Sequence, residues 1–183
     1  MKKILVITLF AIACTSLATA QDPFQRPSPG PERAKLSFLP GEYTTESRLM
    51  PGPMSGEGSV GTGTESISYG VDSMFLFLDD QSVNPAFGKY RARGVLGYDP
   101  RNSSYFLNMY NNFGDAPSYK GTMNGDTLVL TTKVEFQGGS FDQKLVWYKD
   151  GKSLRLKIYN DMGEGSTLVI DQTSTPIPAE GKK

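Results

Sequence analysis

Three glycines between residues 50 and 63 have the spacing of a nucleotide-binding motif. Gly56, Gly58 and Gly61 fit the pattern G-x-G-x-x-G, with which dinucleotide-binding proteins bring their backbone close to a pyrophosphate. That chemistry also needs a helix whose N-terminus receives the phosphates. Here residues 62–69 follow, and their alternating pattern predicts a strand. We therefore interpret the motif as a Pro-Gly turn followed by a glycine-rich strand that bends sharply.

Asp79 and Asp80 are the one pair of adjacent acidic residues, and they suggest acid-base chemistry. Neighbouring residues in a strand point to opposite faces, so these two carboxylates could not flank one substrate unless the strand had ended. They directly follow the apolar residues 74–78. We interpret the pair as a turn after that strand, and Asp99 beside Pro100 as another turn residue.

The sequence contains no histidine and one cysteine, Cys14. Without histidine, neither a Ser-His-Asp triad nor a histidine-ligated metal or haem can be built. Structural zinc sites also depend on the thiolates that this chain lacks beyond Cys14. These absences exclude most hydrolase and metalloenzyme mechanisms. We expect a protein that is not an enzyme and that has no catalytic residues, no metal site and no cofactor.

Residues 1–20 have the three regions of a secretory signal peptide. Lys2 and Lys3 precede the apolar residues 4–13, and Ala18-Thr19-Ala20 supplies an A-x-A cleavage pattern. We predict export to the periplasm or the extracellular medium, with a mature N-terminus at Gln21.

Cys14 offers an alternative fate for the exported chain. Residues 11–14 are a degraded form of the pattern after which bacterial lipoproteins are cleaved and acylated, with Ala11 in place of the usual leucine. No later segment approaches the roughly 20 apolar residues that cross a bilayer, so no transmembrane segment is predicted.

Removing residues 1–20 leaves 17 basic and 19 acidic residues, a net charge of −2, and no cysteine. Because there is no basic surplus to hold a polyanion, we predict no nucleic-acid partner. Without disulfides, stability must come from core packing. About 160 residues suffice for one domain with a sizeable core.

The mature chain divides into three parts. Residues 21–35 contain four prolines and no apolar periodicity, a composition typical of an extended linker. Residues 36–175 form the predicted domain, in which turn signals recur every 8 to 12 residues or so, as in barrels and sandwiches. Residues 176–183 are a polar tail. A short helical turn fits only within residues 32–39.

Alternating segments within the domain predict about ten strands. They are residues 42–49, 59–69, 73–79, 87–98, 104–111, 117–123, 127–136, 141–149, 153–160 and 166–174. Consecutive antiparallel strands remove their exposed edges most simply by closing on themselves. The predicted fold is therefore all-β, a single antiparallel up-and-down β-barrel.

Two dipeptides, Asn124-Gly125 and Asp150-Gly151, predict type I′ hairpin turns and so set strand registers. Each register places apolar side chains on one face and polar ones on the other, which a slip of one residue would reverse. The predicted pairs are Tyr119 with Leu130, Gly121 with Leu128, Leu145 with Leu156 and Trp147 with Leu154.

Residues 90–98 offer two choices of inner face. The better core face carries Tyr90, Leu96 and Tyr98 and leaves Arg91 and Arg93 in solvent. The alternative turns one arginine inward, where it could hold a carboxylate or phosphate head group.

The apolar faces together define the candidate ligand-binding residues. They are Tyr90, Leu96, Tyr98, Tyr119, Leu128, Leu130, Leu145, Trp147, Leu154 and Leu156. If the lumen is hollow, these side chains would surround a small, mainly hydrophobic ligand. In the alternative, they fill the barrel, which then serves as a structural or protein-interaction domain of the cell envelope.

Several short motifs carry a resemblance to a known family. They are Leu39-Pro-Gly41-Glu-Tyr43, residues 50–54, Arg93-Gly-Val-Leu-Gly97-Tyr-Asp99, residues 119–128 and Lys157-Ile-Tyr159. Together they resemble the bacterial domain of unknown function 1579 family, whose members have a lipocalin-like (calycin) β-barrel. The resemblance covers roughly residues 36–173 and implies this fold without an activity. Tyr43 stands where the family usually has tryptophan, which implies a smaller plug at one barrel end.

Overall fold

A computed structural model describes residues 28–52, 55–136 and 138–178. The predicted signal peptide, residues 21–27 of the predicted linker and the end of the tail lie outside the described residues. A helix α1 (Pro31–Ala34) runs into a 3-10 helix (Lys35–Phe38), and ten strands follow. The strands are β1 (Gly41–Leu49), β2 (Ser59–Gly70), β3 (Phe75–Asn84), β4 (Gly88–Asp99), β5 (Ser104–Asn111), β6 (Ser118–Asn124), β7 (Thr127–Phe136), β8 (Gly139–Asp150), β9 (Ser153–Asp161) and β10 (Ser166–Pro176).

The ten strands form one closed antiparallel barrel. Each strand pairs with its neighbours in sequence, and β1 also pairs with β10, so that Thr45 lies opposite Ser174. Closure leaves no strand edge unpaired, which is why a run of consecutive hairpins favours it. The predicted up-and-down barrel is confirmed.

Side chains alternate between the inner and outer faces of β4, and Arg91 and Arg93 face solvent, as the preferred choice of inner face predicted. Ala92 and Leu96 are buried, whereas Arg91 and Arg93 are exposed. Arg93 Nε lies 2.8 Å from Asp79 Oδ2 on the outer surface. The alternative in which one of these arginines enters the lumen is therefore wrong.

The β8–β9 hairpin turns one residue later than predicted. Asp150 pairs with Ser153, so the loop is Gly151-Lys152, and Trp147 pairs with Leu156 instead of Leu154. Of the two loop residues only Gly151 has a positive φ, +60°. Glycine first in a two-residue loop is the pattern of a type II′ turn, so the predicted type I′ turn is wrong.

The β6–β7 hairpin shows the same correction. Asn124 pairs with Thr127, and Gly121 pairs with Leu130 instead of Leu128. In both hairpins the pairing partner moves by two residues, and a shift of two returns each side chain to its original face. Every apolar residue therefore stays on the predicted side of the sheet.

Asp79 and Asp80 lie in the middle of β3, so their interpretation as a turn is wrong. The strand continues to Asn84, five residues beyond the predicted end at Asp79. Since neighbours in a strand face opposite ways, Asp79 meets Arg93 outside while Asp80 points inward. Asp99, by contrast, ends β4 and accepts a hydrogen bond from the backbone N–H of Arg101, as a turn residue does.

The helical segment before β1 closes one end of the barrel. Leu36 and Leu39 are fully buried in the core, and the Tyr43 hydroxyl donates to the Leu39 carbonyl oxygen over 2.9 Å. The Arg33 guanidinium is buried and lies 4.5 Å from the centre of the Tyr69 ring. Residues 31–35, which the sequence predicts to be part of a linker, are thus attached to the fold through Arg33 on the Tyr69 ring and through Glu32, whose carbonyl oxygen accepts a hydrogen bond from the Tyr105 hydroxyl.

The G-x-G-x-x-G motif opens a strand. Gly56 and Gly58 have positive φ angles in the turn before β2, and Gly61 lies within β2. A Cβ atom on Gly58 would stand 2.6 Å from the Leu49 carbonyl oxygen, so only glycine fits there. The interpretation of this motif as a turn followed by a strand is confirmed.

Candidate functional site

The interior of the barrel differs between its two ends. The apolar half adjoins the helical segment and contains fully buried leucines. These are Leu36, Leu39, Leu76, Leu96, Leu107, Leu128, Leu130 and Leu154. The polar half, toward the opposite end, contains inward-facing polar side chains. These are Thr45, Ser47, Glu65, Asp80, Tyr90, Tyr119, Gln143, Asn160, Gln172 and Ser174.

Two carboxyl groups face each other in the polar half. Glu65 on β2 and Asp80 on β3 are directly opposite in the strand register, and both lie on the inner face. Glu65 is only 4% exposed. Asp80 Oδ1 is buried and has no hydrogen-bond partner among the described residues. No ion pair within this part of the chain includes either carboxyl group.

Burial shifts the titration of both groups toward neutral pH. It raises the pKa of Glu65 from 4.5 to about 7, assisted by the negative charge of Asp80 and opposed by the hydrogen bond from Ser174. It raises the pKa of Asp80 from 3.8 to about 6, assisted by the charge of Asp79. A low-polarity environment penalises the ionised form, so each group holds its proton to a higher pH than in water.

A chain of hydrogen bonds across three strands orients Glu65. The Ser47 hydroxyl donates to Gln172 Oε1 over 2.6 Å, and Gln172 Nε2 donates to Ser174 Oγ over 3.3 Å. The Ser174 hydroxyl then donates to Glu65 Oε2 over 2.9 Å. Thr45 lies next to this chain, opposite both Ser174 and Gly63. Its hydroxyl is buried without a hydrogen-bond partner among the described residues.

Two tyrosines extend the polar half to the other side of the barrel. The Tyr119 hydroxyl donates to Gln143 Oε1 over 2.6 Å, and Gln143 Nε2 donates to Asn160 Oδ1 over 3.0 Å. Burial raises the pKa of Tyr119, and it raises that of Tyr90 to about 12 with help from the charge of Asp80. Both phenols therefore remain protonated at neutral pH and can donate hydrogen bonds.

The rim at this end carries exposed aromatic rings. Phe87 and Phe113 are about half exposed, in the β3–β4 and β5–β6 loops. Their ring centres lie 6.4 and 5.8 Å from that of Tyr90. Tyr90 thus connects an apolar rim to the carboxyl groups inside.

All ten residues predicted to bind a ligand lie on the inner face. Eight are buried, and Tyr90 and Tyr98 are partly buried. Nine of them pack in one hydrophobic cluster, whereas Tyr90 lies outside it, beside the polar half. Trp147 belongs to the cluster, and its indole nitrogen has no hydrogen-bond partner within the described part of the chain.

Sequence reasoning missed Glu65 and Asp80. A signal was present, because Leu76 and Leu78 face inward and the same alternation continued for two residues places Asp80 inside. Ile67 predicts Glu65 inside by the same rule. Ending the strand at Asp79 hid Asp80, whereas Glu65 lay inside the predicted strand 59–69 and its alternation with Ile67 was not used.

The outer wall has two depressions that are open to solvent, and Thr45 and Tyr90 of the polar half also line the larger one. One, of about 770 Å³, crosses β10 and β1 to β4 and is lined largely by outward-facing residues, including Thr44, Thr64 and Thr175. The other, of about 360 Å³, lies around the Asp79–Arg93 pair. Neither is lined by Glu65 or Asp80. The polar half is the candidate site because Asp80 Oδ1 and the Thr45 hydroxyl are buried there without hydrogen-bond partners among the described residues, whereas these depressions are open to solvent.

The described residues also limit two other kinds of site. They contain no group of three or more histidine, cysteine, aspartate or glutamate side chains placed to hold a metal ion. Among them, no helix has the length and apolar character needed to cross a membrane.

Comparison with known proteins identifies a family and a fold. The profile of a family described as "Protein of unknown function (DUF1579)" matches residues 28–167. Among solved structures, the chain is similar to the crystal structure of Rv2717c from M. tuberculosis, with a TM-score of 0.59 and 16% sequence identity. The alignment covers 82% of this chain and 99% of that one. At this identity the likeness shows the fold alone. No curated protein matches the chain.

Proposed function

The chain belongs to the DUF1579 family, and we propose that this member is an exported binding protein, not an enzyme, that holds a small and mainly apolar ligand in its barrel. The proposal combines the signal-peptide pattern of residues 1–20 with the character of the barrel interior. Family membership supplies the fold, so the function must be argued from the interior itself.

One observation carries the proposal, the burial of Glu65 and Asp80 without a counter-charge. A carboxylate removed from water costs free energy unless it is paired. A barrel filled only for stability would hold apolar side chains at these positions. Groups whose pKa is strongly shifted in a protein interior are concentrated at functional sites. The polar half therefore supports a ligand-binding role.

The remaining interior supplies contacts for the ligand's apolar body. The leucines of the apolar half pack too closely to admit a large molecule, since several are fully buried. The body of the ligand therefore contacts the boundary of this half and the aromatic groups near the rim, Tyr90, Phe87 and Phe113. Phenols combine a large apolar surface with a polar tip, which suits an amphiphilic ligand.

A second candidate function has its own support in the packed leucines. If the whole interior is filled, the protein is a structural or interaction domain of the cell envelope. Large apolar side chains are exposed near the loops at the polar end, Phe87, Phe113, Phe136 and Met162. Exposed apolar residues of this kind could contact a partner protein.

Dye titration of the mature chain, residues 21–183, separates the two functions. We expect the uncharged dye Nile red to bind at a single saturable site, to change Trp147 fluorescence and to raise the melting temperature. The control is Phe136→Ser, which removes an exposed ring at the end of β7 that is not among the proposed ligand contacts and should leave the site in the lumen intact. Binding that does not saturate, or that this substitution abolishes, would show adsorption to the rim. A panel of dyes and lipids that changes neither signal would establish the filled barrel.

A further inference from the structure

We propose that Glu65 and Asp80 bind the positively charged head group of the ligand, a protonated primary amine. This inference rests on the proposed function and specifies the chemical class of the ligand. It assigns a role to two side chains that face each other inside the barrel and that no described residue neutralises.

The strand register allows one cation to contact both carboxylates. Glu65 and Asp80 are directly opposite on antiparallel strands, where Cβ atoms are about 4.5–5.5 Å apart. Like charges at such a pair of positions destabilise the sheet. An ammonium group between them replaces this repulsion with two attractions. The unfavourable free energy of the like-charge pair in the free protein is therefore relieved on binding and adds to the affinity.

Two buried acceptors without partners in the described part of the chain lie on the inner face beside Glu65, one on each neighbouring strand. Asp80 Oδ1 and the Thr45 hydroxyl are both buried without hydrogen-bond partners among the described residues. Thr45 is 4% exposed and lies diagonally from Glu65 across the β1–β2 pair. A primary ammonium has three N–H donors. Glu65, Asp80 and Thr45 offer three acceptors, and the number of donors and acceptors therefore agrees.

Neighbouring cations of the chain do not occupy this position. Arg91 and Arg93 on the adjacent strand point outward, and Arg155 forms a two-oxygen ion pair with Asp171 on the outer wall. The inner charge near the carboxylates is therefore negative. A ligand with its own carboxylate, such as a fatty acid, would be repelled, and an amine would be attracted.

A metal ion fits these groups less well than an amine. Calcium takes six to eight oxygen ligands, and the described residues contain no cluster of three or more acidic or other metal-ligating side chains. Ser174 and Gln172 are already engaged in hydrogen bonds with each other and with Glu65 or Ser47. An ammonium group needs only the acceptors that remain.

The orientation of the ligand follows from where the interior is packed. The apolar half below the carboxyl groups is filled by leucines. The apolar body must therefore extend toward the rim, along Tyr90 and the rings of Phe87 and Phe113. The ligand class is a primary amine with an alkyl or aromatic body, bound with its charged end innermost.

Three ligands with one alkyl chain and different head groups test this inference: dodecylamine, dodecanol and dodecanoate. Titration calorimetry of the mature chain at pH 8, below micelle-forming concentrations, should rank dodecylamine first and dodecanoate last. Hydrogen bonds to charged groups contribute about 1.5–3 kcal/mol, so we expect the amine to bind at least about tenfold more tightly than the alcohol.

Three variants locate the head group. Glu65→Gln and Asp80→Asn should each weaken dodecylamine binding about tenfold or more and weaken dodecanol binding much less, because the alcohol carries no charge. Asp79→Asn is the matched control, since it removes the same charge one residue away on the outer face, where Asp79 pairs with Arg93. It should bind dodecylamine like the unsubstituted protein. Melting curves verify that each variant is folded.

The outcomes separate this inference from the proposed function. Equal affinity for the three ligands would refute the amine head group while the lumenal site stands. No binding of any of them would overturn both. Equal losses in Asp79→Asn and Asp80→Asn would show general surface attraction instead of a lumenal contact. Stabilisation by calcium chloride alone, with displacement of the amine, would replace the inference with a metal site.

Discussion

Glu65 illustrates how a single buried carboxyl group affects the whole free energy of folding. Its neighbours are Asp80 on β3, Tyr43 on β1 and Ser174 on β10. Of these three neighbours, only the Ser174 hydroxyl stabilises its charge. Burial also raises the pKa of Tyr43, with the charge of Glu65 adding to it, so this phenol stays neutral. The folded protein therefore stabilises the protonated form of Glu65.

Stability should consequently fall as the pH rises. The folded state keeps the Glu65 proton up to about pH 7, whereas the unfolded chain loses it near pH 4.5. The folded protein binds more protons across this interval, so the free energy of unfolding decreases from pH 4.5 to 7 and then levels off. For Glu65 this amounts to at most about 3 kcal/mol.

We expect Glu65→Gln to remove the pH dependence between about pH 6 and 7, while Asp80, whose pKa is raised to about 6, retains a slope at lower pH. The amide cannot ionise, and its oxygen can still accept the Ser174 hydrogen bond, so at pH 8 the variant should melt at a higher temperature than the unsubstituted protein. Circular dichroism melts between pH 5 and 8 measure how the melting temperature changes with pH in Glu65→Gln and in the unsubstituted protein. Asp79→Asn should retain the slope between about pH 6 and 7, which is due to Glu65. A Glu65→Gln protein whose melting temperature changes with pH like that of the unsubstituted chain would contradict the burial argument.

The sequence could have revealed Glu65 and Asp80 only if the alternation of inward-facing residues had been extended to acidic side chains. Apolar periodicity identified the inner leucines because hydrophobic burial is the common case. Acidic residues are rarely buried without a partner, so Asp80 was assigned to a turn. Its inner position depends on the strand continuing to Asn84, and that length is determined by pairing with β2 and β4.

At the scale of elements, strand positions were predictable and turn types were not. All ten predicted strands exist, and most bounds agree within two residues. Asn124-Gly125-Asp126 and Asp150-Gly151-Lys152 each permit two turns, with glycine second in a type I′ loop or first in a type II′ loop. The second arrangement pairs Trp147 with Leu156 and Leu145 with Ile158. Such cross-strand contacts, which are not local in sequence, select the register.

The turn at Gly151 provides a test at this scale. Its φ of +60° is unfavourable for a β-branched residue, and a Cβ atom there would meet no other atom within 4 Å. Gly151→Val should therefore destabilise the protein through backbone strain alone, by about 1–2 kcal/mol. Urea denaturation measures the loss. The matched control is Lys152→Val, at a loop position without a positive φ. Equal effects of the two substitutions would mean that side-chain exposure, and not strain, is responsible.

For the whole molecule, closure of the barrel followed from the sequence but the division of its interior did not. Consecutive hairpins without a helix between them permit few other arrangements, and closure removes the edges. Which inner residues share one end depends on the stagger between strands, to which every turn contributes. Glu65 and Ser174 are far apart in the chain, and they meet only because β1 joins both β2 and β10.

The final prediction concerns the whole chain, which we propose is exported and cleaved before Gln21. Residues 18–20 supply the cleavage pattern, and Cys14 would be removed with the leader. Intact-mass analysis of the protein from the periplasm or medium should give the mass of residues 21–183. Cys14→Ser should not change this mass, whereas Ala20→Arg should block cleavage because the site requires small residues. An acylated Cys14, or processing that depends on Cys14, would instead establish the lipoprotein alternative. A retained Met1 would refute export by cleavage.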